Sequence, residues 1–418
     1  MAHLAVFGDL FDIADRAQAR FGAAEKVRVT AFVQRSRLAG CDGIDRAHAI
    51  VALPDDAPVG EWVDAVRMVH AAHPITHAAA LVDHLAVAAA TALADLGVEF
   101  HSPQTMRDVC DKAATRRVLD RQGRYPVPHR VAADPATLIS AAAEIGFPCV
   151  VKPLSSTGSV GVSVVRDAEA LAAAYRRAAV ADGRVLVERY LAGPQYSVEA
   201  MSEGGEHVVL ALTRKYSDPQ SFVEIGHVMP APLSDAQRSA IVRCAVDVLD
   251  AVGLTYGPSH TEIVLTEDGP MPIETHARVG GDDIWLMVHA ATGVDLDEVQ
   301  PDQIFGLPVL DRVRSILAGP PPQRLYQAVW FGATRAEATF AGLTVPAEIA
   351  EGQHVEVAAL LADGASVRPL ASSNDRIIKV RSSGTSAAEA LGLAVSAAER
   401  VAAASGLPTD LTKVEATC

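Results

Sequence analysis

Hydrophobic and polar positions follow two different periods in the first hundred residues. Short apolar runs with the spacing of strands lie at 3–7, 27–33, 47–53 and 97–100. Between them, residues 61–72 and 82–96 carry apolar positions three and four apart, which is the spacing of an amphipathic helix. Strands that alternate with helices in this way predict a parallel sheet covered by helices. We therefore assign residues 1–105 to an N-terminal α/β domain.

The next pattern predicts a single long helix after this domain. Ser102 is a good helix-capping residue, and Pro103 suits the first helical position. Helical spacing then continues until Gly123, which predicts the end of the helix. Beyond it, short strands with turn signals between them predict a mixed α/β region that continues to about residue 306.

The segment CVVKPLSSTGSVGVSVV contains the first candidates for chemistry. Residues 149–152 form a predicted strand, Pro153 ends it, and a second strand is predicted at 161–165. Lys152 must find an anion, because an unpaired ammonium group at the end of a buried strand is costly. No GKS or GKT follows, so this is not a Walker loop. The loop offers hydroxyl groups and unhindered backbone N–H groups that can fold over phosphates, from Ser155, Ser156, Thr157, Gly158 and Ser159.

The most informative stretch is residues 259–284, which predicts two strands around an Asp268-Gly269 hairpin turn. Glu274 and His276 share one face of the second strand, because strand side chains alternate. Glu262 lies almost opposite Glu274. If the register places both carboxylates on one face, the corner suits Mg²⁺; the alternative from this pattern alone is a surface hairpin with solvated acids.

A glycine-containing loop follows this hairpin, and it reads ARVGGDD. Arg278 supplies a cation there, while Gly280 and Gly281 supply backbone N–H groups beside the predicted metal. After residue 306 the composition changes, with Pro308 and a Gly-Pro-rich stretch at 319–322. The remaining residues predict short strands and one final helix, and show no set of reactive side chains.

Composition limits the possible functions and surroundings. The chain has 418 residues, is 50% hydrophobic and has a formal net charge of −15, which argues against binding to a nucleic-acid backbone. Its five cysteines are scattered without CxxC spacing, so we expect neither disulfides nor zinc. The N-terminus does not read as a signal peptide, and no apolar run reaches eighteen residues. We expect a cytoplasmic protein without membrane partners, and a homodimer by base rate.

Five features in this order resemble the ATP-grasp superfamily, and the resemblance covers residues 98–295. They are Asp111-Lys112 with Arg116, the FPCVVKP segment with its Ser/Gly loop, the VERYL strand at 187–191, Glu262 with Glu274, and ARVGGD. Within the superfamily, the segments FVEIGHVMPAPL, GPSHTEIVL and RVGGD are similar to L-amino-acid ligases, which are dipeptide synthetases. The C-terminal module adds to this narrower likeness.

The resemblance implies an α/β fold, α+β in part, of the ATP-grasp kind. Residues 1–105 would be a Rossmann-like pre-ATP-grasp domain. Residues 106–190 would be the lid or small lobe with a linker helix, and 191–306 the large lobe with the metal site. Residues 307–418 would form a small C-terminal α/β module. The nucleotide would lie between the mixed or antiparallel sheets of the two lobes.

The resemblance also implies a nucleotide site. Lys112 and Lys152 would hold the ATP phosphates, together with the Ser/Gly loop. Glu188 would lie near the adenine amino group, and the backbone around Arg189 and Leu191 would pair with the edge of the base.

The implied metal site contains Glu262 and Glu274 as ligands of Mg²⁺. Position 276 is usually Asn in the superfamily and is His276 here; a neutral imidazole can still bind the metal, and it allows Mn²⁺. Gln195 stands where related ligases carry a glutamate for the ribose hydroxyls, and its carbonyl can accept one such hydrogen bond.

The implied activity is that of an ADP-forming acid–amino-acid ligase, which joins a small carboxylic acid to an amine or amino acid through an acyl phosphate. Arg278, Gly280 and Gly281 would stabilise the oxyanion, or Arg278 would hold the substrate carboxylate. His227 would shape the substrate pocket or deprotonate the amine. The loop at 154–160 would close over the site and exclude water.

Two other functions stay open. One is a biotin-carboxylase-like enzyme that activates bicarbonate, which the Arg-Gly-Gly loop and the FVEIGH stretch disfavour because they suit an organic acid and an amine better. The other is a non-catalytic ATP-binding subunit, which the substitutions at His276 and Gln195 motivate.

Overall fold

The computed structural model describes residues 1–22, 26–156, 158–179, 183–320 and 326–407. Thr157, one of the predicted phosphate-loop residues, lies outside these ranges. Within them, one parallel and two antiparallel sheets of four or more strands pack with helices, so the predicted mixed α/β class is confirmed. No helix of the described ranges is both long and apolar enough to cross a membrane.

The N-terminal domain is a four-stranded parallel sheet in the order β3-β2-β1-β4. Its elements are β1 (His3–Phe7), α1 (Ile13–Phe21), β2 (Arg28–Gln34), β3 (Ala49–Leu53), α2 (Val59–Ala72), β4 (His77–Ala80) and α3 (Ala86–Leu96). The prediction of a strand at 97–100 is wrong. Gly97 adopts a φ of 65° and ends α3, and residues 98–100 form no strand. The fourth strand is β4 instead, whose alanines favour helices and gave no strand signal.

The linker is two helices, α4 (Pro103–Cys110) and α5 (Lys112–Arg121), where the sequence predicted one. Asp111 breaks it with an extended backbone, and its carboxylate accepts hydrogen bonds from the N–H groups of Ala113 and Ala114. An aspartate can cap a new helix inside a helical pattern in this way. The break places Lys112 in the first turn of α5, where its own N–H donates to the carbonyl of Leu154 over 3.0 Å.

The small lobe is an antiparallel sheet in the order β5-β8-β6-β7. Its elements are β5 (His129–Ala132), α6 (Pro135–Ile145), β6 (Cys149–Pro153), β7 (Ser163–Val165), α7 (Leu171–Ala178) and β8 (Val185–Arg189). Leu138, Val151 and Leu171 belong to the apolar core between this sheet and its helices. The Ser/Gly loop connects β6 to β7, so the pairing of these two strands holds both ends of the loop.

The large lobe begins an eight-stranded antiparallel sheet in the order β13-β12-β9-β10-β11-β14-β18-β16. Its elements up to residue 317 are β9 (Gln195–Glu203), β10 (Glu206–Ser217), β11 (Glu224–Met229), α8 (Asp235–Val252), β12 (Tyr256–Thr266), β13 (Gly269–His276), α9 (Ile284–Thr292), α10 (Leu296–Ile304) and α11 (Leu310–Leu317).

The C-terminal strands extend this same sheet. The elements are β14 (Tyr326–Gly332), β15 (Ala338–Thr339), α12 (Ala347–Ala350), β16 (Val355–Ala359), β17 (Ser366–Val367), β18 (Ile378–Gly384) and α13 (Ala387–Ala404). β14 pairs directly with β11, and Gly226 of β11 lies so close to Trp330 that a Cβ there would be 2.2 Å from its ring. The domain boundary at 307 therefore stays a prediction, with paired strands on both sides of it.

Candidate active site

A cleft of about 1660 Å³ lies between the N-terminal domain, the start of α5 and the loop that follows β13. Lys112, Glu274 and Arg278 are among the residues that line it. Asp83 approaches from the N-terminal domain, at the end of β4, where the carboxyl ends of parallel strands commonly face a ligand. This cleft brings together residues that are far apart in the sequence.

The hairpin of β12 and β13 places four polar side chains on one face. Its register pairs Glu262 with Glu274 and His260 with His276. Residues directly opposite each other on antiparallel strands point to the same side of the sheet. The two carboxylates therefore lie together, and the two imidazole rings have centroids 6.1 Å apart.

Lysines neutralise both carboxylates of this pair. The Lys112 ammonium lies 2.8 Å from Glu274 Oε2, and Lys215 of β10 contacts both Glu262 and Glu224. Burial raises the pKa of Glu262, but Lys215 and His260 together outweigh burial and lower the pKa to about 2. Burial also opposes the charge of Glu274, and Lys112 nevertheless holds its pKa well below the usual range. Both groups are ionised at neutral pH.

The two histidines of this face connect it to further carboxylates. His260 Nδ1 donates to Glu199 over 2.9 Å and its Nε2 to Glu262 over 3.3 Å; burial lowers the pKa of His260, but Glu199 raises it to about 9. His276 Nδ1 donates to Asp83 over 3.1 Å, and its Nε2 lies 3.3 Å from Glu274. Both ring nitrogens of His276 therefore contact a carboxylate. Burial lowers the pKa of His276, but Asp83 and Glu274 together raise it above its usual value.

Lys152 meets the anion that its buried position requires. Its ammonium lies 2.6 Å from Glu188 Oε1, while Arg116 Nε donates to the other oxygen over 2.9 Å. Burial raises the pKa of Glu188, but Arg116 and Lys152 outweigh it and lower the pKa to about 2. Arg116 Nη1 also donates to the carbonyl of Pro272 over 2.6 Å, which connects α5 to β13.

The other predicted nucleotide residues are Arg189 at the end of β8, Leu191 in the connection that follows it, and Gln195 at the start of β9. Arg189 is exposed and Leu191 is half-buried; the N–H of Arg189 donates to the carbonyl of Pro128. Gln195 accepts a hydrogen bond from Ser217 over 3.3 Å. None of these three residues belongs to the described lining of the cleft, and neither do Lys152, Glu188, Glu262 and His227.

The Ser/Gly loop reaches the cleft with Ser155, Ser156 and Gly158. The carbonyl of Ser156 accepts a hydrogen bond from the Lys112 ammonium over 2.7 Å. Ser159 turns away instead, because its hydroxyl donates to the carbonyl of Phe222 over 3.2 Å.

The loop after β13, residues 278–283, is anchored first by the N-terminal domain. Arg278 Nε donates to Asp83 over 2.9 Å, and its Nη2 lies 2.9 Å from the same oxygen. Burial opposes the charge of Asp83, yet His276 and Arg278 hold its pKa well below the usual range. Gly280 packs so tightly that a Cβ would be 2.8 Å from His260 Nδ1, whereas Gly281 has open space beside it.

The same loop ends in two consecutive aspartates with left-handed backbones. Asp282 has a φ of 58° and Asp283 a φ of 62°, a conformation that costs about 1–3 kcal/mol for a non-glycine residue. Asp282 accepts hydrogen bonds from His227 Nε2 over 3.1 Å and from both terminal nitrogens of Arg376. Asp283 lies 2.6 Å from Lys379.

His227 lies in β11 beside Glu224 and Asp282, and its side chain is fully buried. Its Nδ1 has no hydrogen-bond partner among the described residues. One ligand atom from each of the three residues lies within 4.8 Å of the others. Both oxygens of Asp282 already accept hydrogen bonds from Arg376, and His227 Nε2 donates to one of them, so we assign no metal to this group.

Sequence reasoning did not identify several residues that the structure brings to this site: Asp83, Glu199, Arg376 and Lys379. Asp83 follows a strand that was not predicted, and Arg376 and Lys379 lie in a segment without a recognisable motif. Only Lys379 stands out in the sequence, because it is a single charged residue in the apolar run Ile377 to Val380. The sequence does not indicate which carboxylate it would pair with.

Comparison with known proteins finds one family that is similar to the central part of this chain. Residues 145–285 match the ATP-grasp domain family. This match confirms the predicted resemblance to the ATP-grasp superfamily.

Similar solved structures show the same fold over nearly the whole chain. The L-amino acid ligase from Bacillus licheniformis has a TM-score of 0.78 at 23% identity, over 94% of this chain and 96% of that one. A phosphoribosylglycinamide synthetase from Anaerococcus prevotii has a TM-score of 0.67 at 13% identity, over 93% and 95% of the two chains.

Curated relatives match a shorter part of the chain. An uncharacterized protein, y4rH, of Sinorhizobium fredii is 38% identical over 201 residues, which are 46% of this chain and 41% of that protein. D-alanine–D-alanine ligase B of Pseudomonas syringae is 29% identical over 198 residues, 45% of this chain and 60% of the ligase. The matches thus span about half the length of these relatives.

Proposed function

We propose that this protein is an ATP-dependent carboxylate–amine ligase, ADP-forming, that joins an amino acid or other small carboxylic acid to an amine or a second amino acid. One observation carries the proposal: a single cleft is lined by Lys112, by Glu274 and by Arg278 with Gly280 and Gly281. Groups suited to phosphate, to a divalent cation and to an oxyanion therefore face one space. At about 1660 Å³, the cleft exceeds the roughly 300–1,000 Å³ of common ligand pockets, which leaves room for two substrates beside a nucleotide.

The names of two similar proteins support this proposal. One is a D-alanine–D-alanine ligase and the other an L-amino acid ligase. A cytoplasmic location and small-molecule substrates belong to the same proposal, as does an absence of nucleic-acid and membrane partners.

The donor set fits a hard divalent cation such as Mg²⁺, with Mn²⁺ as the other candidate. Glu262 and Glu274 are ionised and lie opposite each other on neighbouring strands. His276 is the proposed third ligand, a role that requires its neutral form and the loss of its hydrogen bond to Glu274. A bound cation would neutralise charge on the phosphate oxygens during transfer.

In the first step, the acid's carboxylate attacks the γ-phosphorus of ATP, and the bond to the leaving ADP breaks. Lys112, Lys152 and the N–H groups of the Ser/Gly loop offset the phosphate charge, so catalysis comes from position and electrostatics. Glu188, Arg189, Leu191 and Gln195 are the proposed contacts of adenine and ribose.

In the second step, the amine attacks the carbonyl carbon of the acyl phosphate, and phosphate leaves as the amide forms. Arg278 and the N–H groups of Gly280 and Gly281 stabilise the oxyanion of the tetrahedral intermediate. The amine must lose a proton, which the departing phosphate can accept; His227, the acceptor expected from the sequence, is fully buried and outside the described lining of the cleft, so we assign it no direct contact with the amine. The loop at 154–160 would keep water from the acyl phosphate.

The test measures phosphate release from ATP and Mg²⁺ with single amino acids and pairs of them, followed by mass spectrometry. We expect release that requires an acid and an amine, with a condensed product one water lighter than their sum. Release that requires bicarbonate would favour the carboxylase alternative. ATP binding without turnover across the panel would favour the non-catalytic alternative.

A further inference from the structure

Arg376 holds the loop 278–283 from the C-terminal part of the chain. Its side chain is buried, with 8% of the residue exposed, just before β18. Its two terminal nitrogens donate to the two oxygens of Asp282 over 2.7 and 2.6 Å. Its Nε donates to the carbonyl of Ser373 over 2.9 Å, and the guanidinium lies 3.8 Å from the ring centroid of Phe331. The guanidinium is therefore fixed in both position and plane.

The conformation of the loop requires such a partner. Asp282 and Asp283 are consecutive residues in the left-handed region, which persists in non-glycine residues only when the surroundings hold it. Arg376 binds the first carboxylate and Lys379 of β18 binds the second. Two cations of one C-terminal segment thus hold both strained residues.

We infer that Arg376 is a positioning residue for amide formation, an inference that rests on the proposed function. Through Asp282 it fixes the end of the loop that presents Arg278 and the Gly280-Gly281 amides to the cleft. Gly280 fixes the middle of the loop by packing against His260. Arg376 is not part of the described lining of the cleft, so it acts through Asp282 and not on the substrate.

The variants Arg376→Gln, Arg376→Lys and Asp282→Asn test this role, together with the Arg376→Gln/Asp282→Asn double variant. Arg400→Gln is the matched control, because Arg400 also lies in the C-terminal part but pairs with Glu348 at the surface. Three quantities are measured: kcat of amide formation, Kd for MgATP, and the ¹⁹F NMR signal of fluorotryptophan at Trp285, which follows the loop and lines the cleft. A Trp285→Phe variant assigns that signal.

We expect Arg376→Gln to lower kcat about 100-fold, the scale of a displacement near 1 Å at the reacting groups. The Kd for MgATP should stay unchanged and the Trp285 signal should shift. Arg376→Lys should recover part of kcat, because an ammonium replaces one of two parallel hydrogen bonds. The double variant should be no slower than the slower single variant, because both remove the same contact. Arg400→Gln should match the wild type in all three quantities.

Unchanged kcat in Arg376→Lys and Asp282→Asn would overturn the inference, as would losses that multiply in the double variant. Those two single variants carry the test if Arg376→Gln does not fold. A wild type that forms no condensed product overturns the proposed function instead. In that case the Trp285 signal decides the inference: an unchanged signal in the Arg376 and Asp282 variants overturns it, and a shifted signal retains Arg376 as the residue that positions the loop.

Discussion

The strand pair that carries Glu262 and Glu274, our proposed nucleotide side, and the loop 278–283, our proposed substrate side, are held in place in different ways. On the nucleotide side, Glu262 and Glu274 face each other across paired strands, so the backbone register sets their positions. On the substrate side, Arg278 depends on Asp83, which lies 195 residues earlier, and Asp282 depends on Arg376, which lies 94 residues later.

The two halves of the candidate site should therefore respond differently to substitutions. The hydrogen bonds between β12 and β13 fix the positions of Glu262 and Glu274 relative to each other, and they join residues that are close in the sequence. The loop 278–283 has no ladder, and ion pairs from the N-terminal and C-terminal parts of the chain set its shape. Substitutions far from the chemistry should therefore affect the substrate side more than the nucleotide side.

The largest effect should come from Glu274→Gln on the nucleotide side. It removes a proposed metal ligand and the partner of Lys112, so turnover should fall by about 10³-fold or more, the scale for loss of a group that stabilises transition-state charge. Phosphate release and product formation measure it. Glu267→Gln, at the exposed turn of the same hairpin, is the control and should retain full activity. Near wild-type turnover in Glu274→Gln would refute the metal assignment.

A large loss of stability should follow Glu188→Gln. The change leaves Lys152 and Arg116 buried without their shared anion, which costs about 3–5 kcal/mol in the free energy of unfolding. Urea unfolding measures it. Glu144→Gln breaks an exposed pair with Arg130 and should cost less than about 1 kcal/mol. Equal losses in the two variants would contradict the buried-triad interpretation.

Acid should weaken the same triad in a defined pH window. The folded-state pKa of Glu188 is lowered from 4.5 to about 2, so its stabilisation is complete above pH 4.5 and is lost as the pH falls towards 2. The shift corresponds to roughly 3 kcal/mol. Unfolding free energies of the wild type and Glu188→Gln, measured between pH 6 and 3, should converge as the pH falls. If the unfolding free energies of the two proteins instead fell in parallel with pH, other groups would be responsible for the acid sensitivity.

A smaller effect on activity should follow Asp83→Asn on the substrate side. Arg278 and His276 lose their shared carboxylate, so kcat/KM should fall about 10- to 100-fold, as for other groups that orient a site residue. Steady-state kinetics with an identified substrate pair measures this fall, and the Kd for MgATP should change little. Asp64→Asn, an exposed acid of the same domain, serves as the control. If the affinity for MgATP fell by the same factor as kcat/KM, Asp83 would not act on the substrate side alone, which would contradict the proposed division of the site.

The parts of the site that could be predicted from sequence have local causes. The hairpin turn, the small-residue loop after Lys152 and the alternating side chains of β13 follow from the residues at those positions. The break at Asp111 could not be predicted from periodicity, because the helical spacing continues through it. β4 was missed because its composition favours helices, and with it the cleft position of Asp83.

By itself, the sequence determined the α/β class, the order of the ATP-grasp features and the strand that carries each carboxylate. These depend on side-chain periodicity and turn chemistry, which act over a few residues. The pairing of Lys152 with Glu188, and the anchoring of the loop 278–283 by Asp83 and Arg376, depend on how the chain folds. Such choices follow from which charges burial brings within hydrogen-bonding distance. A buried charge must be paired, but its own position in the sequence does not say by which partner.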